Sequence, residues 1–244
     1  MLALLKKEIQ SFLHSLIGYI VMGVFLLLTA LFLWVFPETD FNVLDNGYAN
    51  IDSLFVIAPW VFLFLIPAIT MRSFAEEKKT GNIELLLTKP LRDMDIILAK
   101  YFAGVLLVLI SLLPTLIWYI TISMLASPAG NVDTGGMWGS YLGLFFLASG
   151  FVAIGIFASA ISENQIVAFI IAVFLCFFCF MGLDSISSLG FPSGFDTVIQ
   201  YLGIQIHYAS MSRGVLDTRD IIYFISLAAM FILFTKTSME GRKW

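Results

Sequence analysis

The sequence predicts an all-α membrane protein: six transmembrane helices, with shorter helices lying at both surfaces. Three observations carry this. Only 12% of the 244 residues are charged and the mean hydropathy is +0.97, whereas soluble domains carry about 25% charged residues. Six apolar stretches approach the roughly 20 residues that a helix needs to cross hydrocarbon. The stretches are continuously apolar, which excludes the alternating pattern of transmembrane strands.

The elements follow in chain order. Leu2, Leu5, Ile9, Phe12 and Leu16 recur at helical spacing, with Lys6, Lys7, Gln10 and His14 on the other face. That pattern predicts an amphipathic helix lying in the membrane interface, its lysines toward anionic headgroups. The first span is Ile17–Phe36. Its apolar run is longer than a signal-peptide core and no A-x-A site follows, so it is expected to be retained. The other spans are expected at Leu54–Met71, Tyr101–Ala126, Tyr141–Ile161, Gln165–Leu183 and Ile221–Thr237. Pro114 predicts a kink in the third.

Orientation follows from the basic residues of short loops. One side holds Lys6, Lys7, Arg72, Lys78, Lys79, Lys89, Arg92, Lys100, Lys236, Arg242 and Lys243; the other holds Arg213 and Arg219. Both termini are therefore expected in the cytoplasm. The 37–53 loop carries Glu38, Asp40, Asp45 and Asp52 and no base, as an outer loop should. The glycine-rich 127–140 loop falls on the same outer side. The longest outer segment, 184–220, holds a second helical pattern (Phe195, Val198, Ile199, Leu202, Ile206), with Asp196 as candidate N-cap. A helix in the outer leaflet is expected there. Arg213 and Asp217 beyond it read as a surface ion pair.

What is absent narrows the function. No expected span has an Asp, Glu, Lys, Arg or His in its interior, yet ion-driven carriers place such groups at mid-membrane. There is no H-E-x-x-H and no G-x-x-x-x-G-K-[ST]. His14 and His207 fall on opposite sides of the membrane. Cys176 and Cys179 lie in the run Phe174–Phe180 without other ligand types, and read as small apolar side chains. Ser162-Glu163-Asn164 reads as a turn, not a catalytic cluster. A net charge of −4 gives no sign of nucleic acid. The chain is thus expected to be no enzyme and to bind no cofactor, and any work it does must be supplied by a partner. Ser149, Ala153, Gly155 and Ser159 allow close packing of the fourth span, either inside the subunit or across a dimer.

The charged loop after the second span is the best-formed entry point for that work. Arg72, Glu76, Glu77, Lys78 and Lys79 predict a short helical continuation of the span. Gly81 suits a left-handed C-cap. Asn82 can then cap a second short helix, with Glu84 near its positive end and Ile83, Leu85, Leu86 and Leu87 too apolar for a free surface. Pro90 stops it, and Asp93 can cap the helix entering the third span. The leucines suit either the bilayer surface or a groove on a cytoplasmic protein.

The string Glu76-Glu77-Lys78-Lys79-Thr80-Gly81-Asn82-Ile83-Glu84-Leu85-Leu86-Leu87-Thr88-Lys89-Pro90 resembles the E-E-x-x-x-G-T-x-E-x-L-L-x-x-P motif of ABC-2 type transporter permeases. Asn82 stands where the family commonly has Thr, and both can cap a helix. His207, Arg213, Gly214 and Asp217 lie in a stretch that looks like the family's outer-loop ending. The ending through Lys243-Trp244 is most similar to the gliding-motility-associated permease subunit of the F type. The resemblance implies one ABC-2 transmembrane domain over 1–244. It implies pairing with a second permease and docking of a cytoplasmic ATPase dimer that binds ATP and magnesium. Asn82–Thr88 would be the coupling helix, flanked by Glu76, Glu77, Gly81 and Pro90. The implied function is ATP-driven export or envelope work in surface motility. The alternative is a scaffold or mechanical transmitter in the same complex that transports nothing.

Overall fold

The computed structural model describes residues 1–45, 47–81, 92–188 and 195–241. Helix α1 (Leu2–Leu13) lies ahead of the first span. Ser15 then caps α2 (Leu16–Ala30), accepting from the Gly18 amide at 3.2 Å. The amphipathic helix is thus separate from the span. Its packed face is Leu4, Leu5, Glu8, Ile9, Phe12 and Leu13, while Leu2 and Leu16 are exposed. The stripe expected from sequence is therefore rotated, and it carries an acid.

The α2 helix ends in a π-helical turn, Leu31–Val35. The second span is α3 (Asp52–Thr70), continued by α4 (Arg72–Lys79). The third is α5 (Asp93–Leu112), a 3-10 turn at Leu113–Thr115 around Pro114, and α6 (Leu116–Leu125). Asp93 sits in the first turn of α5 and does not cap it. The fourth is the unbroken α7 (Thr134–Ile161), and the fifth is α8 (Gln165–Phe177), a π-helical turn and α9 (Leu183–Ser187). Two short helices follow, α10 (Phe195–Leu202) and α11 (Ile204–Met211). Asp196 lies in the first turn of α10 as its second residue, inside the helix and not at the cap position expected for it. Helix α12 (Thr218–Glu240) is the last span. Among the described residues there is no strand, and six helical stretches are long and apolar enough to cross a membrane.

Helix α7 is the centre of the bundle, packing against α3, α4, α5, α8, α11 and α12. The most apolar stretch of its span is 78% buried, against 22% in the first and fifth spans. Those two spans leave their apolar faces outward, where hydrocarbon or another subunit can cover them. The small residues of α7 are what let its neighbours approach. A Cβ on Gly155 would lie 2.1 Å from Thr70 Oγ1 of α3. Of the two uses open to those residues, the structure shows packing inside the subunit.

Two prolines interrupt the backbone ladder of α3. Pro59 has no N–H, so the Phe55 carbonyl one turn earlier loses its helical donor. Tyr208 of α11 replaces it: its hydroxyl donates to Phe55 O at 2.5 Å. Burial pushes the Tyr208 phenol well above its usual range, so the hydroxyl remains a donor.

Candidate coupling shoulder and outer platform

On the basic side, span two does not simply end. Its helix breaks at Met71 and resumes as α4. A break exposes amides that need acceptors, and Ser159, near the end of α7, supplies one. Its Oγ accepts from Phe74 N at 2.9 Å and Ala75 N at 3.1 Å, and donates to Met71 O at 3.0 Å. Ser159 is fully buried. At the other end of α4, Lys78 donates from Nζ to Ala160 O, at the negative C-terminal end of α7. One helix thus holds the other at both ends of a two-turn segment.

Lys100 makes the second tie. It lies in α5, with its side chain only 2% exposed. Its Nζ donates to Glu77 Oε1 of α4 at 2.9 Å and to Glu8 Oε1 of α1 at 3.1 Å. It also sits 5.1 Å from the centre of the Phe74 ring. A buried ammonium is tolerable only when paired in this way. The contact joins three elements separated by 92 and 23 positions in sequence. Beside it lies a cavity of about 550 Å³ between α1, the α3–α4 elbow and α5.

Of the loop residues singled out from sequence, Glu76 is exposed, Glu77 is held by Lys100, and Gly81 takes φ +70°. Asn82, Ile83, Glu84, Leu85, Leu86, Leu87 and Pro90 lie outside the described residues. Lys100 and Ser159 were not singled out for the shoulder. Lys100 carried a usable signal: it interrupts the apolar run Ile96–Phe102. Glu8 did too, standing between Leu4 and Phe12 on one face of α1.

At the opposite end of the bundle, His207 is buried. Its Nδ1 lies 2.7 Å from Asp220 Oδ1 and its Nε2 lies 2.9 Å from Tyr201 O. A carbonyl can only accept, so Nε2 carries a hydrogen, and the contact between Nδ1 and the carboxyl needs a second. The pair is therefore closed by two protons. Tyr223 stacks on the imidazole at 3.9 Å and donates to Leu202 O at 2.7 Å. Arg213 and Asp217 do not pair with each other. Arg213 Nε donates to Ala209 O at 3.0 Å, and Asp217 caps α12 by accepting from Arg219 N at 2.9 Å. Gly214 has φ +81°, and a Cβ there would fall 2.3 Å from Gly136 Cα of α7. The backbone of that turn rests directly on the helix, and Ser140 Oγ donates to Ser212 O beside it at 2.8 Å.

The described residues contain no cluster of His, Cys, Asp or Glu suited to a metal ion. Cys176 and Cys179 are free thiols, the first buried. What the two sites offer is mechanical linkage and charge. Compared with known families, residues 35–239 match the model described as ABC-2 family transporter protein. No curated protein matches the chain.

Proposed function

This chain belongs to the ABC-2 transporter family, and from that premise we propose that it is the permease subunit that receives work from a separate cytoplasmic ATPase. The family match over residues 35–239 supports a membrane subunit whose ATPase resides in a partner. In this reading the basic side is cytoplasmic, both termini lie there, and the membrane is the bacterial inner membrane. The segment Asn82–Thr88 touches the ATPase, and α4 carries its displacement inward. ATP and magnesium are bound by the partner.

The observation that carries the reading is the double fastening of α4. Ser159 and Lys78 tie it to α7, and Glu77 ties it through Lys100 to α5 and α1. A push on the loop beyond Gly81 then moves the ends of three helices together. The outward apolar faces of the first and fifth spans suit a second permease, identical or not. The finer assignment to gliding motility rests on the chain's C-terminal resemblance alone.

Glu76 is the exposed acid of the pair, so it is the one to perturb. Co-expression with the cognate ATPase and affinity capture of the complex is the test, comparing the native chain with Glu76→Lys plus Leu86→Asp. Reduced capture is expected. Undiminished capture of the ATPase by the double variant would refute the docking assignment.

A further inference from the structure

The cavity at the shoulder has a composition that no step above uses. Its charged wall holds Lys7, Arg72 and Lys100 against Glu8, Glu76 and Glu77. Three positive and three negative groups leave it neutral overall. A lone anion would enter beside three carboxylates, and a lone cation beside three bases. Arg72 Nε and Glu77 Oε2 are moreover buried without a hydrogen-bond partner. One orphan is a donor and the other an acceptor, so the wall lacks both an acceptor and a donor. The cavity also runs down the bundle. Leu107 lies seven residues beyond Lys100 on α5, about 10 Å deeper into the span at 1.5 Å per residue. Ala103, Gly104 and Leu107 of α5 line it beyond Lys100, and Phe12 and Ile69 add apolar wall next to Ser11, Ser15 and Thr70.

We propose that this cavity binds a zwitterionic phospholipid with a primary amine, phosphatidylethanolamine, from the leaflet on the basic side. Arg72 and Lys7 hold the phosphate and Glu77 accepts from the ammonium, while an acyl chain follows the apolar end. A volume of about 550 Å³ suits such an occupant, since ligand sites run from about 300 to 1,000 Å³. The primary amine matters because a choline headgroup has no N–H for Glu77. The apolar depth selects a lipid over a soluble phosphate ester of the same headgroup. The proposal does not depend on ATPase docking.

The experiment is native mass spectrometry of the full chain. The detergent micelles carry equal amounts of phosphatidylethanolamine, phosphatidylglycerol and phosphatidylcholine. Retention of phosphatidylethanolamine at least about tenfold above phosphatidylcholine is expected, as one charge-assisted hydrogen bond supplies. Arg72→Met should lower its retention about tenfold, and Glu77→Gln should bring the two lipids near parity. Lys7 is exposed, so Lys7→Glu tests the phosphate end without loading the fold; weaker retention of phosphatidylethanolamine is expected. Equal retention of all three lipids would mean a boundary shell only and would overturn the site. So would undiminished retention of phosphatidylethanolamine in Arg72→Met or Lys7→Glu. Displacement of the lipid by an equal concentration of glycerophosphoethanolamine would overturn the lipid as occupant.

Discussion

Tyr208→Phe removes one hydroxyl from a buried position, and the structure says what that should cost. The hydroxyl is the donor that satisfies Phe55 O, a carbonyl left open because Pro59 has no N–H. A phenylalanine keeps the ring in place, so the change isolates the hydrogen bond. Leaving a buried carbonyl without its donor costs about 1–3 kcal/mol. In a Pro59→Ala background the alanine N–H can donate to Phe55 O in the ordinary helical way. Tyr208→Phe should then cost under about 0.5 kcal/mol, and the cycle should show a coupling of at least about 0.5 kcal/mol. The assay is reversible unfolding of the four proteins in mixed micelles. Equal costs for Tyr208→Phe in both backgrounds would refute the claim that the outer helix substitutes for the missing helical bond.

Four further changes test the shoulder and the platform in the same unfolding assay. Ser159→Ala orphans Phe74 N and removes a second acceptor from Ala75 N, and should cost about 1–3 kcal/mol. Thr235→Val loses only a bond to its own helix at Phe231 O, so a loss in Ser159→Ala no larger than in that control would deny the fastening. Lys100→Met leaves Glu8 and Glu77 together without their cation and should cost about 3–5 kcal/mol; adding Glu8→Leu and Glu77→Leu should recover most of it, and no recovery would sink the three-way pairing. His207→Phe strands the Asp220 carboxyl, whose Oδ2 already lacks a partner, at about 3 kcal/mol; the double variant with Asp220→Leu should be the more stable of the two, and the reverse order would reject the pair. Gly214→Ala should lose about 2 kcal/mol, from a clash with Gly136 at a left-handed φ; an unchanged midpoint would show that the turn can move off the helix.

The six spans were legible because hydrocarbon imposes one simple demand, a run of apolar residues long enough to cross it. The same signal fades where charge gathers, and it sets the ends of the second and last spans at Met71 and Thr237. The charged continuation expected after Met71 forms as α4, Arg72–Lys79, and the last helix runs on to Glu240. The elbow was hidden for a related reason. Ser159 was read as one small residue among four, and its partners lie 84 to 88 positions away. By charge counting Lys100 is a loop charge, since counting has no way to weigh two carboxylates folded over an ammonium. Arg213 and Asp217 were paired by their spacing, but each found a nearer backbone partner.

Helix α7 links the two candidate sites. At one end Ser159 holds the elbow of α3 and α4; at the other Ser140 and Gly139 meet the backbone of the Ser212–Gly214 turn. Ser140 and Ser159 are 19 residues apart, or about 29 Å along the helix, close to the roughly 30 Å of a hydrocarbon core. No proline or break interrupts α7. The spans it touches are weaker along their length: α3 contains Pro59 and Pro67, and the third span passes through a 3-10 turn at Pro114. Each proline removes a ladder bond and lowers resistance to bending there. Under the proposed function, a displacement entering at α4 would therefore travel along the unbroken helix. Bending would concentrate at the prolines of its neighbours. The outer turn around Gly214, resting backbone to backbone on α7 without side chains between them, is where that displacement would arrive.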